Sequence, residues 1–133
     1  MLRSPLLPAL LIPLCALAAA QATPDSPAAG MATPRDAQVQ RGEVLYLQVC
    51  AICRGDHRQG LFGPALGGPD FLATFGGGQV AALHTVIATT MPEDRPGSLS
   101  AQEVLDVTAY LLDASDLPHP DGVLDAPVDG AAP

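Results

Sequence analysis

Three stretches of the chain repeat their apolar residues with a period near 3.6. The first runs from about Ala37 to Cys53, where Val39, Gly42, Tyr46, Val49 and Cys50 fall on one side. That spacing predicts an amphipathic helix, with Asp36 as its N-cap. The second runs from about Gln79 to Thr89, where Val80, Leu83 and Ile87 share a face bordered by His84. The third opens with Ser100-Ala101-Gln102-Glu103 and continues to about Asp113. Its opening has the form of a capping box, in which Ser and Glu each satisfy an amide of the first turn. Val104, Val107 and Leu111, with Leu105, Thr108 and Leu112, then make a broad apolar stripe. No segment alternates with period two, so the expected fold class is all-α. Residues 60–69, Gly-Leu-Phe-Gly-Pro-Ala-Leu-Gly-Gly-Pro, are dense in turn formers and read as a loop.

The two ends differ from this middle. Residues 1–22 read as a secretory signal peptide: Arg3 gives the positive start, Leu6 to Ala20 are apolar, and Ala20-Gln21-Ala22 suits a cleavage site before Thr23. Pro5, Pro8 and Pro13 interrupt the apolar run, which is also short of the roughly 20 residues of a membrane span. Export to the periplasm is therefore expected, with no span left after cleavage; Cys15 would go with the leader. Residues 23–36 are rich in Pro, Ala and Thr and read as a disordered linker. Residues 115–133 are acidic, Pro-rich and without periodicity, and read as a disordered tail. One folded domain over 37–114 remains, without internal repeats.

Composition sharpens the picture in two ways. The chain has 14 Asp and Glu against six basic residues, all of them Arg, and a formal charge of −8. Without the leader, five Arg against 14 acids leave −9. Such a balance excludes a protein that grips nucleic acid through phosphate contacts. It favours a partner with a basic face. Two Tyr, three Phe and no Trp offer little bulk for a core, and small domains of this kind usually need a staple or a cofactor.

The chemistry-bearing motif is Cys50-Ala51-Ile52-Cys53 at the end of the first helix. Two Cys three apart share a helix side, so both can reach one flat ligand or one metal ion. The residues alone leave three readings open: thioether attachment of haem, a short-loop disulfide or dithiol, or a zinc or iron site. The last needs two more ligands, and His57 and His84 are the only His inside the folded part. A C-x-x-C followed by His reads as haem attachment; here the next residue is Arg54.

Further fragments stand in order around this motif. Gly42 and Tyr46 lie two turns and one turn before Cys50; Gly63-Pro64-Ala65-Leu66 follows it; Met91-Pro92 comes later; Ala109-Tyr110-Leu111 lies in the last helix. In this order and spacing the chain resembles the class I c-type cytochromes over residues 37–114. The run from Met91 to Ser100 is similar to small cytochromes that accompany periplasmic dehydrogenases. The resemblance implies a small all-α fold of about three main helices with long Gly/Pro-rich loops around one haem c. It implies covalent attachment through Cys50 and Cys53, a pocket including Arg54, Gly63, Pro64 and Leu66, and Met91 as distal iron ligand. It further implies one-electron transfer between a dehydrogenase and a respiratory acceptor such as an oxidase, not an enzyme activity of the domain itself.

Arg54 is the departure from that pattern. The family's proximal His binds iron and donates its other N–H to the loop proline carbonyl. A guanidinium has donors only and stays protonated, so Arg54 can take over the contact to Pro64 but cannot ligate iron. His57, three residues on, is the candidate substitute ligand. Two alternatives follow for a degenerate cytochrome fold: a five-coordinate haem protein that binds small ligands, and a haem-free interaction module. Gly42, Tyr46 and Tyr110 are expected to mark close helix packing, and Arg41, Arg58 and Arg95 to be solvated or ion-paired. Mass spectrometry of the exported protein should find Thr23, or a residue within a few positions, at the N-terminus; an intact Met1 on membrane-bound material would refute the leader.

Overall fold

The computed structural model describes residues 32–118, 120 and 122–126. The expected leader, residues 23–31 of the expected linker and the end of the tail lie outside the described residues. The elements are α1 (Pro34–Leu45), a single wide turn of π type (Tyr46–Cys50), α2 (Ala51–Arg54), α3 (Pro69–Phe75), α4 (Val80–Thr90) and α5 (Ala101–Asp113). The fold is all-α, with no strand among the described residues.

α1 begins three residues earlier than the periodicity predicts. Its N-cap is Thr33, not Asp36: the Thr33 hydroxyl accepts from the Asp36 N–H at 3.1 Å, and the Asp36 carboxylate accepts from the Thr33 N–H at 2.8 Å. Pro34 takes the first helical position, where a missing N–H costs nothing. The apolar face starts only at Val39, so the first turn leaves no hydrophobic trace. At the far end the Ala51 N–H donates to the Tyr46 carbonyl five residues back. This wider turn takes Tyr46 and Cys50 out of line with each other. Tyr46 faces α5, and Cys50 faces the cavity described below.

α1 and α5 cross at Gly42. A Cβ there would lie 2.6 Å from the Asp106 carbonyl carbon and 2.8 Å from Tyr110 Cβ, so only glycine permits this approach. One turn on, the Tyr46 and Tyr110 rings meet at 5.3 Å, tilted by 46°, a favourable arrangement for aromatic quadrupoles. The Tyr46 hydroxyl donates to the Gly55 carbonyl at 2.6 Å. Arg41 grips the buried Asp106 carboxylate with Nε at 2.8 Å and Nη2 at 3.0 Å, and Gln102 donates to it at 2.7 Å. Arg58 lies over the Tyr110 ring and donates to its hydroxyl and to the Ala114 carbonyl. Arg95 pairs with Asp94 at the surface. α4 spans Val80–Thr90 with Gln79 as its cap, and packs Val80, Leu83 and Ile87 inward.

The segment after α5 departs from the expected disordered tail. Leu117 and Leu124 are buried, and the Leu124 backbone makes two 2.7 Å hydrogen bonds with the fully buried side-chain amide of Gln38. Two isolated leucines carry no periodicity, so their burial leaves no pattern along the chain. Among the described residues no single helix is long and apolar enough to cross a membrane.

Burial pushes the Asp106 carboxyl up, but hydrogen bonds from Arg41, Gln102 and Gln38 and the Arg41 charge outweigh it. Its pKa therefore lies below the ordinary carboxylate value. A depressed folded-state pKa contributes stability above the unfolded value of about 3.9, and that stability is lost as pH falls through the folded pKa. Asp106→Asn should cost about 1–3 kcal/mol at pH 7 and flatten the loss of stability below about pH 4, read by thermal melts across pH. Tyr46→Ala should cost about 3–5 kcal/mol in the same melts.

Candidate functional site

The end of the first helix, α3, α4 and α5 enclose a cavity of about 700 Å³. Phe71 and Phe75, with ring centroids 5.1 Å apart, form the α3 wall. Leu83 and Ile87 from α4 and Val107 and Leu111 from α5 complete the apolar lining. Periodicity points to the α4 and α5 residues as core, but not to α3. Its start is marked by Gly68-Pro69-Asp70, a helix-entry pattern of Pro at the first position and an acid in the first turn. Seven residues next to a glycine-rich loop are too few to display a period.

Two loops bring the chemistry to this lining. The helix ends at Arg54, and Gly55 turns the chain away with φ +80°. The backbone N–H groups of Leu61, Phe62 and Gly63 then converge on the Cys53 carbonyl at 3.2, 3.1 and 3.0 Å, and the Gly60 N–H reaches the Arg54 carbonyl at 2.8 Å. Carbonyls left without partners at the helix end thus hold the Gly-Pro loop against it, which sets Pro64 and Leu66 at the cavity wall. On the opposite side α4 stops at Thr90, and extended Met91 enters the cavity lining with Pro92 buried behind it.

The sulfur atoms and one cation share this space. Cys50 and Cys53 are free, half-buried thiols lining the cavity. Burial pushes the Cys50 thiol up to about 11 against the opposing pull of Arg54, so it is protonated at neutral pH. Arg54 is only 8% exposed. Its Nη1 donates to the Pro64 carbonyl at 3.0 Å, and its Nη2 lies 3.8 Å from Met91 Sδ. Gly63 supports this placement from outside the cavity: a Cβ there would stand 2.6 Å from Arg54 Cζ.

Cys50, Cys53, Arg54, Pro64, Leu66 and Met91 are therefore brought to one cavity, with Gly63 packed against the guanidinium. His57 is not. Gly55 directs the chain outward, His57 is exposed, and its N–H donates to Gln59 Oε1 at 2.9 Å. The structure does not bring it into the cavity lining as a substitute ligand. His84 is half-buried on α4, where burial lowers its pKa, and also stands outside the lining. His119 lies outside the described residues. Among the described residues no three His, Cys, Asp or Glu side chains gather as a metal cluster.

Haem needs a roomy apolar slot, two thiols at its edge and a lone-pair donor for the iron. The 700 Å³ cavity, Cys50 with Cys53, and the Met91 thioether meet those needs. The group facing the Met91 sulfur is a guanidinium, which has no lone pair to offer. The thiols, the thioether and the apolar walls thus suit such a group, whereas Arg54, in contact with the Met91 sulfur, does not.

No family model matches this chain, and no curated protein matches it. Among solved structures, the chain is similar to the sulfane dehydrogenase SoxCD from Paracoccus pantotrophus, with a TM-score of 0.50 and 26% identity. The similarity covers 65% of this chain and 47% of that one, so it spans about half the length of the solved chain.

The Gly63 contact has a measurable consequence. Gly63→Ala should drive the guanidinium off Pro64 and cost about 1–3 kcal/mol. Gly67→Ala, where the nearest atom would lie 3.9 Å away, should leave the melting curve unchanged. Equal stability of the two variants would show that Arg54 does not rest against Gly63.

Proposed function

We propose that this chain is an exported, periplasmic haem c domain that carries single electrons between a dehydrogenase and a respiratory acceptor such as an oxidase. The observation that carries the reading is the convergence of three sulfur atoms, from Cys50, Cys53 and Met91, on one apolar cavity of about 700 Å³. Cys50 and Cys53 would hold the group through thioethers, and Met91 would offer it a thioether sulfur. Bound haem supplies one-electron chemistry, with a potential tuned by its ligand and its burial. The chain's own part is to exclude water with Phe71, Phe75, Leu83 and Leu111 and to hold Arg54 on the Pro64 carbonyl.

The similarity to a sulfane dehydrogenase supports a dehydrogenase as redox partner. The formal charge of −8 supports a basic docking face on that partner. No general acid–base pair or activated nucleophile belongs to this reading, so the domain itself is a carrier and not an enzyme. One observation favours a second reading, a five-coordinate haem protein that binds small ligands: Arg54, which cannot ligate, faces the Met91 sulfur.

Co-expression with haem-attachment machinery tests both. The unaltered chain should carry covalent haem, detected by intact mass and absorption, and Cys50→Ala with Cys53→Ala should lose it. Arg54→His should convert a high-spin spectrum to a low-spin one with a far-red Met–iron band. Absence of haem in both the unaltered chain and Arg54→His, under conditions that load a control cytochrome, would leave the haem-free interaction module.

A further inference from the structure

Arg54 is a cation more than nine-tenths buried at an apolar cavity. A guanidinium cannot escape burial by losing its proton, so its charge calls for a negative partner. No carboxylate lies within ion-pair distance of it among the described residues. The acids at the cavity rim, Asp70, Glu93 and Asp94, are exposed. Beside the cation stand two free, half-buried thiols, Cys50 and Cys53. Residues three apart on a helix surface are neighbours, with Cβ atoms about 5–6 Å apart. The three groups act on one another: burial raises the Cys50 pKa most, Arg54 pulls it down and Cys53 adds to the rise.

Two thiolates and one guanidinium sum to a charge of −1. A monovalent metal ion on the thiolates makes the set neutral, whereas a divalent ion would leave the guanidinium without its counter-charge. Thiolates select soft metals. Zinc in structural sites and iron–sulfur clusters ask for four ligands, and among the described residues no third His, Cys, Asp or Glu joins the thiols. Cu(I) is soft, monovalent and content with two thiolates. We infer that Cys50 and Cys53 form a two-coordinate Cu(I) site, with Arg54 beside it as the charge-balancing residue. The Met91 sulfur stays outside the ligand set, because it faces Arg54 Nη2 at 3.8 Å. Pro64 and Gly63 are positioning residues: the carbonyl tethers Nη1, and the bare glycine backbone leaves room for the guanidinium. On binding, two S–H bonds break, two S–Cu bonds form and two protons leave to solvent, with no change of oxidation state. The inference goes beyond the haem reading and concerns the chain whose thiols carry no haem.

The test uses the full chain made without haem-attachment machinery and kept reduced under anaerobic conditions. Cu(I) is delivered from bicinchoninate, whose colour reports the competition. One Cu(I) should bind per chain, with X-ray absorption showing two sulfur neighbours, and an equal concentration of zinc should not displace it. Cys50→Ala and Cys53→Ala should each abolish binding. Arg54→Gln should weaken it by about tenfold or more, and Arg54→Lys by less, because it keeps the charge. His57→Ala, at an exposed ring outside the cavity lining, should leave affinity unchanged. If Arg54→Gln does not fold, Gly63→Ala, which displaces the guanidinium, should weaken Cu(I) in its place. Absence of saturable binding, displacement by zinc, or equal affinity in the unaltered chain and the position-54 or position-63 variants overturns the inference. Covalent haem on co-expression without Cu(I) binding by the haem-free chain overturns this inference alone; Cu(I) binding by a chain that never takes haem overturns the haem reading alone.

Discussion

The rest of the molecule depends on the contact between the Gly42 backbone and the Asp106 carbonyl, too close for even a methyl group. It fixes how α1 crosses α5. From that crossing follow the Tyr46–Tyr110 ring contact, the Arg41 fork on Asp106 and the place where the first helix ends. The end of that helix is where the thiols stand. A larger residue at 42 would push α1 off α5, and the cavity, walled by α5 and by the last turns of the first helix, would lose its shape. Interiors packed at crystal-like density cannot absorb such a shift locally.

Within that frame the cavity combines two physical tendencies that usually exclude one another. Its walls are aromatic and aliphatic, as suits a flat apolar group, and five aromatic side chains in the whole protein cannot fill it themselves. Yet Arg54 projects a charge into it. The Gly-Pro loop makes this tolerable. Three amides bonded to one carbonyl lock the loop onto the helix end, and the locked loop offers the Pro64 carbonyl to Nη1. The remaining donor is directed at Met91. The loop and the methionine together orient a fork of donors here.

Much of this was legible along the chain. α4 and α5 follow from their 3.6-residue stripes, and the Ser100–Glu103 capping box opens α5 where the pattern places it. Cys50, Cys53, Pro64, Leu66 and Met91, which the resemblance singles out by their order, all line one cavity. Other parts were not legible. Thr33 and Pro34 start a helix through local capping with no apolar signal. α3 is shorter than two full turns and hidden among glycines. Leu124 is buried by its docking on Gln38, 86 residues away in the chain.

By itself the sequence determined α4, α5 and most of α1, that two thiols stand three residues apart at a helix end, and that position 54 holds a donor that cannot ligate. Those are properties of residue type and local spacing. Only the tertiary structure decided that Arg54 points inward between Pro64 and Met91 while His57 points to solvent. That choice turns on a positive-φ glycine at 55, a bare backbone at 63 and a sulfur delivered from 37 residues downstream. None of these is a local property of Arg54 or His57, so no pattern around them could have distinguished the buried cation from the exposed ring.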